Sequence, residues 1–237
     1  MIRTFVFSTL FLIGCAANAA IISTNSYATF IASGVGAQTT NDFDSAASGT
    51  ILGTQNGITF SETTGATLLI SDGAGDVLSN GSVFGVTSGP NFVNMENPAG
   101  AIPNSIPLTE NESITLSFSN RQAVGLFVYF DRFNIVNDGT ISLSDGTATA
   151  SATSATSPSE DLPINDTAYF LGLYDDTGAN SISNVTLNVD NGSLRYVFDH
   201  TVTFQATAVP EPSTWLLLVG LSLGMVVRQR RKTRRHS

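Results

Sequence analysis

The sequence predicts an all-β protein, a single antiparallel β-sandwich followed by one C-terminal transmembrane helix. Apolar side chains recur at every second residue in short runs such as 113–118, which gives each run one buried face and one wet face. Turn dipeptides such as Asn56-Gly57 separate these runs. No part of the body has the sustained periodicity of an amphipathic helix.

Residues 1–19 have the organisation of a secretory signal peptide. Arg3 makes the start basic, an apolar run follows from Phe5 to Ile13, and Ala17-Asn18-Ala19 supplies the small residues of a cleavage site. The apolar run is too short to cross a bilayer as a helix. We therefore expect the chain to be exported and cleaved after Ala19.

The only cysteine, Cys15, lies inside this leader and leaves an alternative open. Leu12-Ile13-Gly14-Cys15 is similar to a bacterial lipobox, in which the cysteine carries lipid and becomes the new N-terminus. Cleavage after Ala19 is favoured because the C-terminus already provides an anchor. It would leave a mature chain without cysteine, which its core alone must stabilise.

Residues 20–207 are expected to form one extracellular domain. The predicted strands cover 58–61, 66–70, 113–118, 123–130, 140–143, 168–173, 183–189 and 194–204. Asn191-Gly192 predicts a hairpin between the last two of them, and residues 147–161, rich in Ser, Thr and Ala, are expected to be a long loop. Many short strands joined by turns are typical of sandwiches of the jelly-roll or galactose-binding type.

Charge is divided unevenly between this body and the C-terminus. Residues 42–199 hold eighteen of the nineteen acidic residues and only three arginines, a net charge of −15. Such a body repels nucleic acid and anionic lipid, so nucleic-acid binding is excluded, and it attracts cations such as Ca²⁺. Residues 228–237, in contrast, hold six Lys or Arg.

Residues 208–237 combine three features in order: a Pro-Glu-Pro turn, an uncharged apolar segment at 214–227, and a basic tail at 228–237. The prolines hold the first segment extended, the apolar segment is expected to be a transmembrane helix, and the basic cluster stays on the cytoplasmic side. The turn consists of Val209, Pro210, Glu211, Pro212 and Ser213, and the stop-transfer cluster of Arg228, Arg230, Arg231, Lys232, Arg234 and Arg235.

This tail resembles the PEP-CTERM sorting signal. The resemblance implies that an exosortase, a membrane-embedded cysteine enzyme of Gram-negative bacteria, recognises and processes the tail. Such bacteria typically make exopolysaccharide. The chain would be anchored in the membrane for a time and then reside at the cell surface or in the extracellular matrix. Phrases such as Asn41-Asp42-Phe43-Asp44 and Val197–Phe204 also resemble exported bacterial sandwich proteins that often carry this tail.

The body has few residues of the types that catalyse reactions near neutral pH, so we expect no enzyme activity. His200 is its only histidine, and no Gly-x-Ser-x-Gly nucleophile elbow occurs. Because His200 shares the parity of Phe198 and Phe204 in an alternating strand, we expect a packed residue. Carboxylates that are neighbours in the sequence are expected to be solvated loop residues. Two carboxylates from different strands could still form a catalytic pair of the kind that glycosidases use.

Two ligands fit the residue types better. Calcium prefers six to eight oxygen ligands and often pins loops in exported sandwiches without disulfides. If the first and last strands pair, Asp42 and Asp44 could share an ion with Asp199. A glycan could stack on Tyr129 with Arg132 as its polar partner, although the run that holds Tyr129 is typical of a strand buried on both faces.

The expected function is that of an exported cell-surface or matrix protein, structural or adhesive in an exopolysaccharide-rich envelope or biofilm. A carbohydrate-binding module is the first alternative, and a glycan hydrolase or lyase is the second. The expected partners are the exosortase, the membrane before processing, and exopolysaccharide. The only cofactor expected is structural calcium.

Overall fold

The computed structural model describes residues 20–34, 36–71, 91–96, 105–106, 113–131, 140–153, 156, 158–161, 166–176, 181–190 and 196–205. These residues form fourteen strands and one short helix, α1 (Tyr27–Ser33). The strands are β1 (Ile21–Thr24), β2 (Gln38–Asn41), β3 (Thr54–Gln55), β4 (Ile58–Glu62), β5 (Leu68–Ser71), β6 (Phe92–Glu96), β7 (Ser105–Ile106), β8 (Ile114–Asp131), β9 (Thr140–Ser144), β10 (Thr149–Ala152), β11 (Glu160–Asp161), β12 (Asp166–Asp175), β13 (Ile182–Asp190) and β14 (Tyr196–Gln205). Their pairings are antiparallel, which confirms the all-β class.

Strand β8 is the centre of the fold because its two halves pair with different neighbours. Its first half, 114–118, lies between β4 and β13. Its second half, 121–131, lies between β12 and β14. Asn120, with a φ of 41°, lies where the strand changes partners. β9 and β10 extend the first group of strands beyond β13, and β1, β2, β5 and β6 extend the second.

The two groups of strands close on a shared apolar core. This cluster takes Ile114 and Leu116 from the first half of β8, Leu126 and Val128 from its second half, and further side chains from β4, β9, β12, β13 and β14. A cluster formed by both groups lies between two sheets. The fold is therefore a β-sandwich, as the alternation in the sequence predicted, and its two sheets are joined through β8.

Helix α1 covers the other face of the second sheet. The Ser26 side chain caps it by accepting a hydrogen bond from the Thr29 N–H at 3.2 Å. Phe30 is fully buried and packs on the rings of Phe170 and Phe204 at centroid distances of 5.0 and 5.7 Å. These rings belong to a second, smaller apolar cluster, which fixes the helix on the sheet. Seven residues are too few to give the sequence a clear helical period.

The sheet beneath α1 has no side chains at two facing positions. Gly125 of β8 lies opposite Gly172 of β12. A Cβ on either glycine would come within 3.0 Å of the Phe170 ring, and one on Gly172 would do the same to Phe30. The two glycines therefore provide the space in which these rings sit.

Most predicted strands have direct counterparts. The runs 58–61, 140–143, 168–173 and 183–189 fall within β4, β9, β12 and β13 or overlap them closely. The runs predicted as two strands on either side of residue 120 are one strand, β8, which continues through the polar residues between them even though Asn120 has a φ of 41°. Polar composition alone does not end a strand that has pairing partners on both sides.

Two predicted connections are wrong. The hairpin at Asn191-Gly192 does not occur, because β13 pairs with β8 and β9 whereas β14 pairs with β2, β6 and β8. A turn dipeptide indicates that the chain reverses, not which strands pair. The predicted loop at 147–161 contains β10, which pairs with β9, and the short strand β11. Ala150 and Ala152 alternate inward in β10, but such small side chains give a weak alternation signal.

The predicted signal peptide, residues 1–19, and the predicted sorting tail, residues 208–237, lie outside the described residues. Within the ranges that the structure describes, no helix combines the length and the apolar character needed to cross a bilayer. The transmembrane helix at 214–227 stays a prediction.

Candidate functional sites

Strand β2, which precedes Asp42, pairs with β14, the last strand described, whereas the first strand, β1, pairs with β12. Asn41 lies opposite Thr201, so Asp42 continues from β2 beside the segment that holds Asp199. Asp199 is fully buried, whereas Asp42 is exposed. In the described part of the chain, no three His, Cys, Asp or Glu side chains are grouped closely enough to hold a metal ion. Calcium binding by Asp42, Asp44 and Asp199 stays a prediction.

Hydrogen bonds fix the loop that follows β2. The Asp44 N–H donates to Asp42 Oδ1 at 3.3 Å, and the Asn91 N–H donates to Asp44 Oδ1 at 3.4 Å. The Asn91 side chain donates to the carbonyl oxygens of Phe43 and Ala46 at 3.0 and 2.9 Å. Phe43 is buried with a φ of 59°, a conformation that is rare for a bulky residue and is held here by this network.

His200 lies at a β-bulge in β14. Asp199 is opposite Phe127 and Val202 is opposite Gly125, so β14 has one more residue than β8 between these points. The φ of His200 is 50°, in the left-handed region, and its N–H donates to Asp199 Oδ1 at 2.6 Å. Bulges re-aim side chains, and a non-glycine residue in this conformation is held by its surroundings.

The bulge reverses the alternation of β14. Phe198, before the bulge, faces the core between the sheets, whereas Phe204, after it, faces the cluster under α1. The prediction that His200 shares one parity with both phenylalanines is therefore wrong. The His200 ring still packs as expected, edge-on to Phe127 and Tyr27 at centroid distances of 5.7 and 6.4 Å.

Burial lowers the pKa of the His200 imidazole below its usual value of 6.5, because a partly buried site disfavours the charged form. The carboxylates of Asp42 and Asp44 act in the opposite direction. The net result is a packed ring that is neutral at pH 7. Sequence reasoning missed this proximity of the histidine to both acids, because it depends on the pairing of β2 with β14.

Tyr129, the predicted glycan contact, is fully buried. It lies with Phe127 in the cluster under α1, as expected for two residues of one parity. A stacking platform has to expose a ring face to the sugar, so the prediction for Tyr129 is wrong and its ring is part of the core. Its predicted partner Arg132 lies outside the described residues.

The strongest functional assignment lies in the tail. The family model of the PEP-CTERM protein-sorting motif matches residues 208–232. The match contains the predicted turn at 209–213, the apolar segment at 214–227 and the first four basic residues, which confirms the predicted sorting signal. This motif indicates an exported protein that an exosortase system sorts. Such a tail implies that the protein is held in the membrane for a time before processing.

Comparison with solved structures adds a distant likeness. The K2 cleaved adhesin domain of Lys-gingipain (Kgp) matches over 71% of this chain and 98% of that chain, with 11% sequence identity and a TM-score of 0.40. A likeness of this size supports no inference about activity. No curated protein matches the chain in sequence.

The last described strand ends just before the sorting motif begins. Gln205 is the last residue of β14, and its N–H donates to the Ala37 carbonyl at 3.0 Å, so the strand stays bonded to the body up to its end. The matched motif begins at residue 208. Three steps along the chain span at most about 11 Å, so the motif begins within about 11 Å of the end of β14.

Proposed function

We propose that this chain is a cell-surface or matrix protein of a Gram-negative bacterium, structural or adhesive in an exopolysaccharide-rich envelope or biofilm, and without catalytic activity. The observation that carries the proposal is the PEP-CTERM motif at residues 208–232, placed directly after the last strand of an all-β body. A sorting signal in this place suits a protein whose folded body acts outside the cell.

The body has properties that support such a role. Residues 20–237 contain no cysteine, so the sandwich does not depend on the redox state of its surroundings. Its lone histidine, His200, and the aromatic ring of Tyr129 are packed against the cluster under α1. Packed side chains of this kind support a structural role over general-base catalysis or sugar stacking.

The test is a C-terminal peptide map, with intact mass, of the protein purified from its native envelope. We expect a C-terminus between Pro210 and Thr214, without the apolar segment and the arginines. The double substitution Pro210→Ala and Pro212→Ala should leave the tail in place, because the recognition segment loses its extended backbone. Pro158→Ala, which removes a proline from a loop of the body, is the matched control and should be processed normally.

Two comparisons decide the outcome. A strain without the exosortase should retain the full chain in its membrane fraction, whereas the wild-type strain should release the processed body into the matrix fraction. A wild-type chain that ends at Ser237 would contradict processing and leave an ordinary anchored ectodomain. Saturable binding of the processed body to purified exopolysaccharide would show the adhesive role, and its absence would leave the structural one.

A further inference from the structure

Among the described residues, five buried polar atoms have no hydrogen-bond partner, and strand register and turn contacts place their residues at one end of the sandwich. We call the five residues that carry them the Arg121 corner. The atoms are Asn41 Nδ2, Gln55 Oε1, Arg121 Nε, Thr201 Oγ1 and Thr203 Oγ1. Buried polar groups in folded proteins are nearly always hydrogen-bonded, because an unpaired buried donor or acceptor is costly. Several such unpaired atoms close together indicate a site that binds a polar ligand.

Strand register brings the first part of the corner together. Thr201 lies opposite Asn41 of β2, and Thr203 lies opposite Val124 of β8, which faces the core between the sheets. Directly opposed residues of an antiparallel pair point to the same face, and so do residues two apart on one strand. Asn41, Thr201 and Thr203 therefore share the inner face of the second sheet.

The turn between β3 and β4 closes this end of the sandwich. Asn56, in that turn, donates its side-chain N–H to Asn41 Oδ1, and Gln55 precedes it in β3. The other turn residue, Gly57, lies over Arg121: a Cβ on that glycine would be 3.4 Å from Arg121 Nη2. The turn thus links the guanidinium to the amide and hydroxyl groups of the sheet.

Arg121 gives the corner its charge. Its side chain is 8% exposed, and among the described residues it is the only Lys or Arg. No hydrogen bond or ion pair to the Arg121 side chain occurs within the described part of the chain. A buried guanidinium needs a negative partner or polar acceptors to offset its desolvation.

The donors and acceptors of the corner indicate which class of ligand it would bind. Arg121, Asn41 and the two threonines offer N–H and O–H donors, whereas Gln55 Oε1 is the single acceptor that cannot donate. A set rich in donors around one guanidinium suits an anion with two oxygen acceptors in a plane, which an arginine fork binds in bidentate fashion. Because the corner has a single guanidinium and the body around it has a net charge of −15, a singly charged anion is favoured over a doubly charged one.

We propose that the Arg121 corner binds a carboxylate. The guanidinium pairs with both oxygens, and Asn41 Nδ2 and the hydroxyls of Thr201 and Thr203 supply the remaining hydrogen bonds. The carboxylate belongs either to a small free acid or to an acidic sugar, and the same donors recognise it in both cases. This proposal does not depend on sorting of the tail.

The test measures binding of ¹³C-labelled acetate to the purified full chain by line broadening, at constant ionic strength. We expect saturable binding that competes with unlabelled acetate. Arg121→Met should weaken it at least about tenfold, because charge-assisted bidentate pairing is lost. Thr201→Val with Thr203→Val keeps shape and charge and should weaken it about threefold to tenfold. Thr186→Val, at a partly exposed position of β13, is the matched control and should bind as the wild type does.

Competition by other solutes identifies the source of the carboxylate. If glucuronate displaces the labelled acetate and glucose does not, the corner binds carboxylates carried by sugars. If unlabelled acetate displaces the labelled acetate and glucuronate does not, the corner binds small free acids. Equal broadening by wild type and Arg121→Met, tighter binding of sulfate than of acetate, or no saturable binding would overturn the proposal. No saturable binding would leave a corner filled by water only. If Arg121→Met fails to fold, the threonine pair decides.

Discussion

Gly34→Ala is expected to destabilise the body through a single contact, which makes it a sharp test of how α1 is held. Gly34 is the C-cap of the helix, with a φ of −67° and a ψ of 125°, a conformation that alanine adopts without strain. A Cβ at this position would lie well under 3.0 Å from three ring carbons of Phe204. Phe204 is 5% exposed and packs on Phe30, so its ring has little room to move.

The magnitude follows from this geometry. Forcing an extra methyl group into a packed contact costs about 1–3 kcal/mol of unfolding free energy, and Phe204→Ala should cost about 3–5 kcal/mol by opening a cavity. In the double variant the ring is gone and the new Cβ has space. Gly34→Ala should then add almost nothing to Phe204→Ala, which gives a coupling energy of about 1–3 kcal/mol between the two positions.

Urea unfolding of the full chain in a nonionic detergent, followed by circular dichroism, measures the cycle. Gly53→Ala is the matched control, because a Cβ there meets no atom within 4 Å, and its effect should stay within about 0.5 kcal/mol. Additive effects of Gly34→Ala and Phe204→Ala would refute the reasoning. So would a Gly34→Ala cost no larger than that of the control.

Three further predictions concern titratable groups. Burial lowers the pKa of His200 below 6.5, although the carboxylates of Asp42 and Asp44 act in the opposite direction. At pH values between the lowered pKa and 6.5, the unfolded chain therefore binds more protons than the folded chain does. Unfolding free energy should therefore fall as pH drops through this window, and His200→Asn, which tolerates the positive φ, should flatten that slope in urea titrations at several pH values. For Glu62, burial raises the pKa, but hydrogen bonds from Thr64, Ala66 and Thr63 outweigh it and leave the pKa below 4.5. Its stabilisation should be full above pH 4.5 and lost as pH falls through the lowered pKa. Glu62→Gln should cost about 1–3 kcal/mol at pH 7, and an unchanged midpoint would contradict the network. If Asp42, Asp44 and Asp199 hold calcium, EDTA should lower the melting temperature, Ca²⁺ should restore it, and Asp199→Asn should remove both responses; melting that ignores EDTA in the wild type would contradict that site.

The sequence was sufficient to predict the class of fold because burial on one face leaves a period of two. Val185, Leu187 and Val189 of β13 show that period and are buried. The partners of each strand were not predictable in the same way. Nothing local in β8 shows that residues 114–118 and 121–131 have different neighbours, because pairing depends on segments far away in sequence.

The candidate sites divide along the same line. The sorting signal at 208–232 is one continuous segment defined by the order of its residues, so it could be predicted from the sequence alone. The Arg121 corner, in contrast, needs β2, the turn after β3, β8 and β14 in place before its atoms meet. Arg121 is one polar residue in a polar stretch, and no spacing in the chain marks it as buried.

The position of β14 connects the two kinds of site. This strand comes last in the described chain, and it pairs with β2 from the start of the body and with β8 from its middle. Pairing between partners so far apart in sequence closes a long loop and costs more chain entropy than local pairing does. The strand that completes the second sheet also contributes Thr201 and Thr203 to the Arg121 corner, and it ends three residues before the sorting motif begins. The end of β14 therefore fixes the point from which the motif extends. An exosortase that binds the start of the motif, within about 11 Å of Gln205, would also lie close to this end of the sandwich.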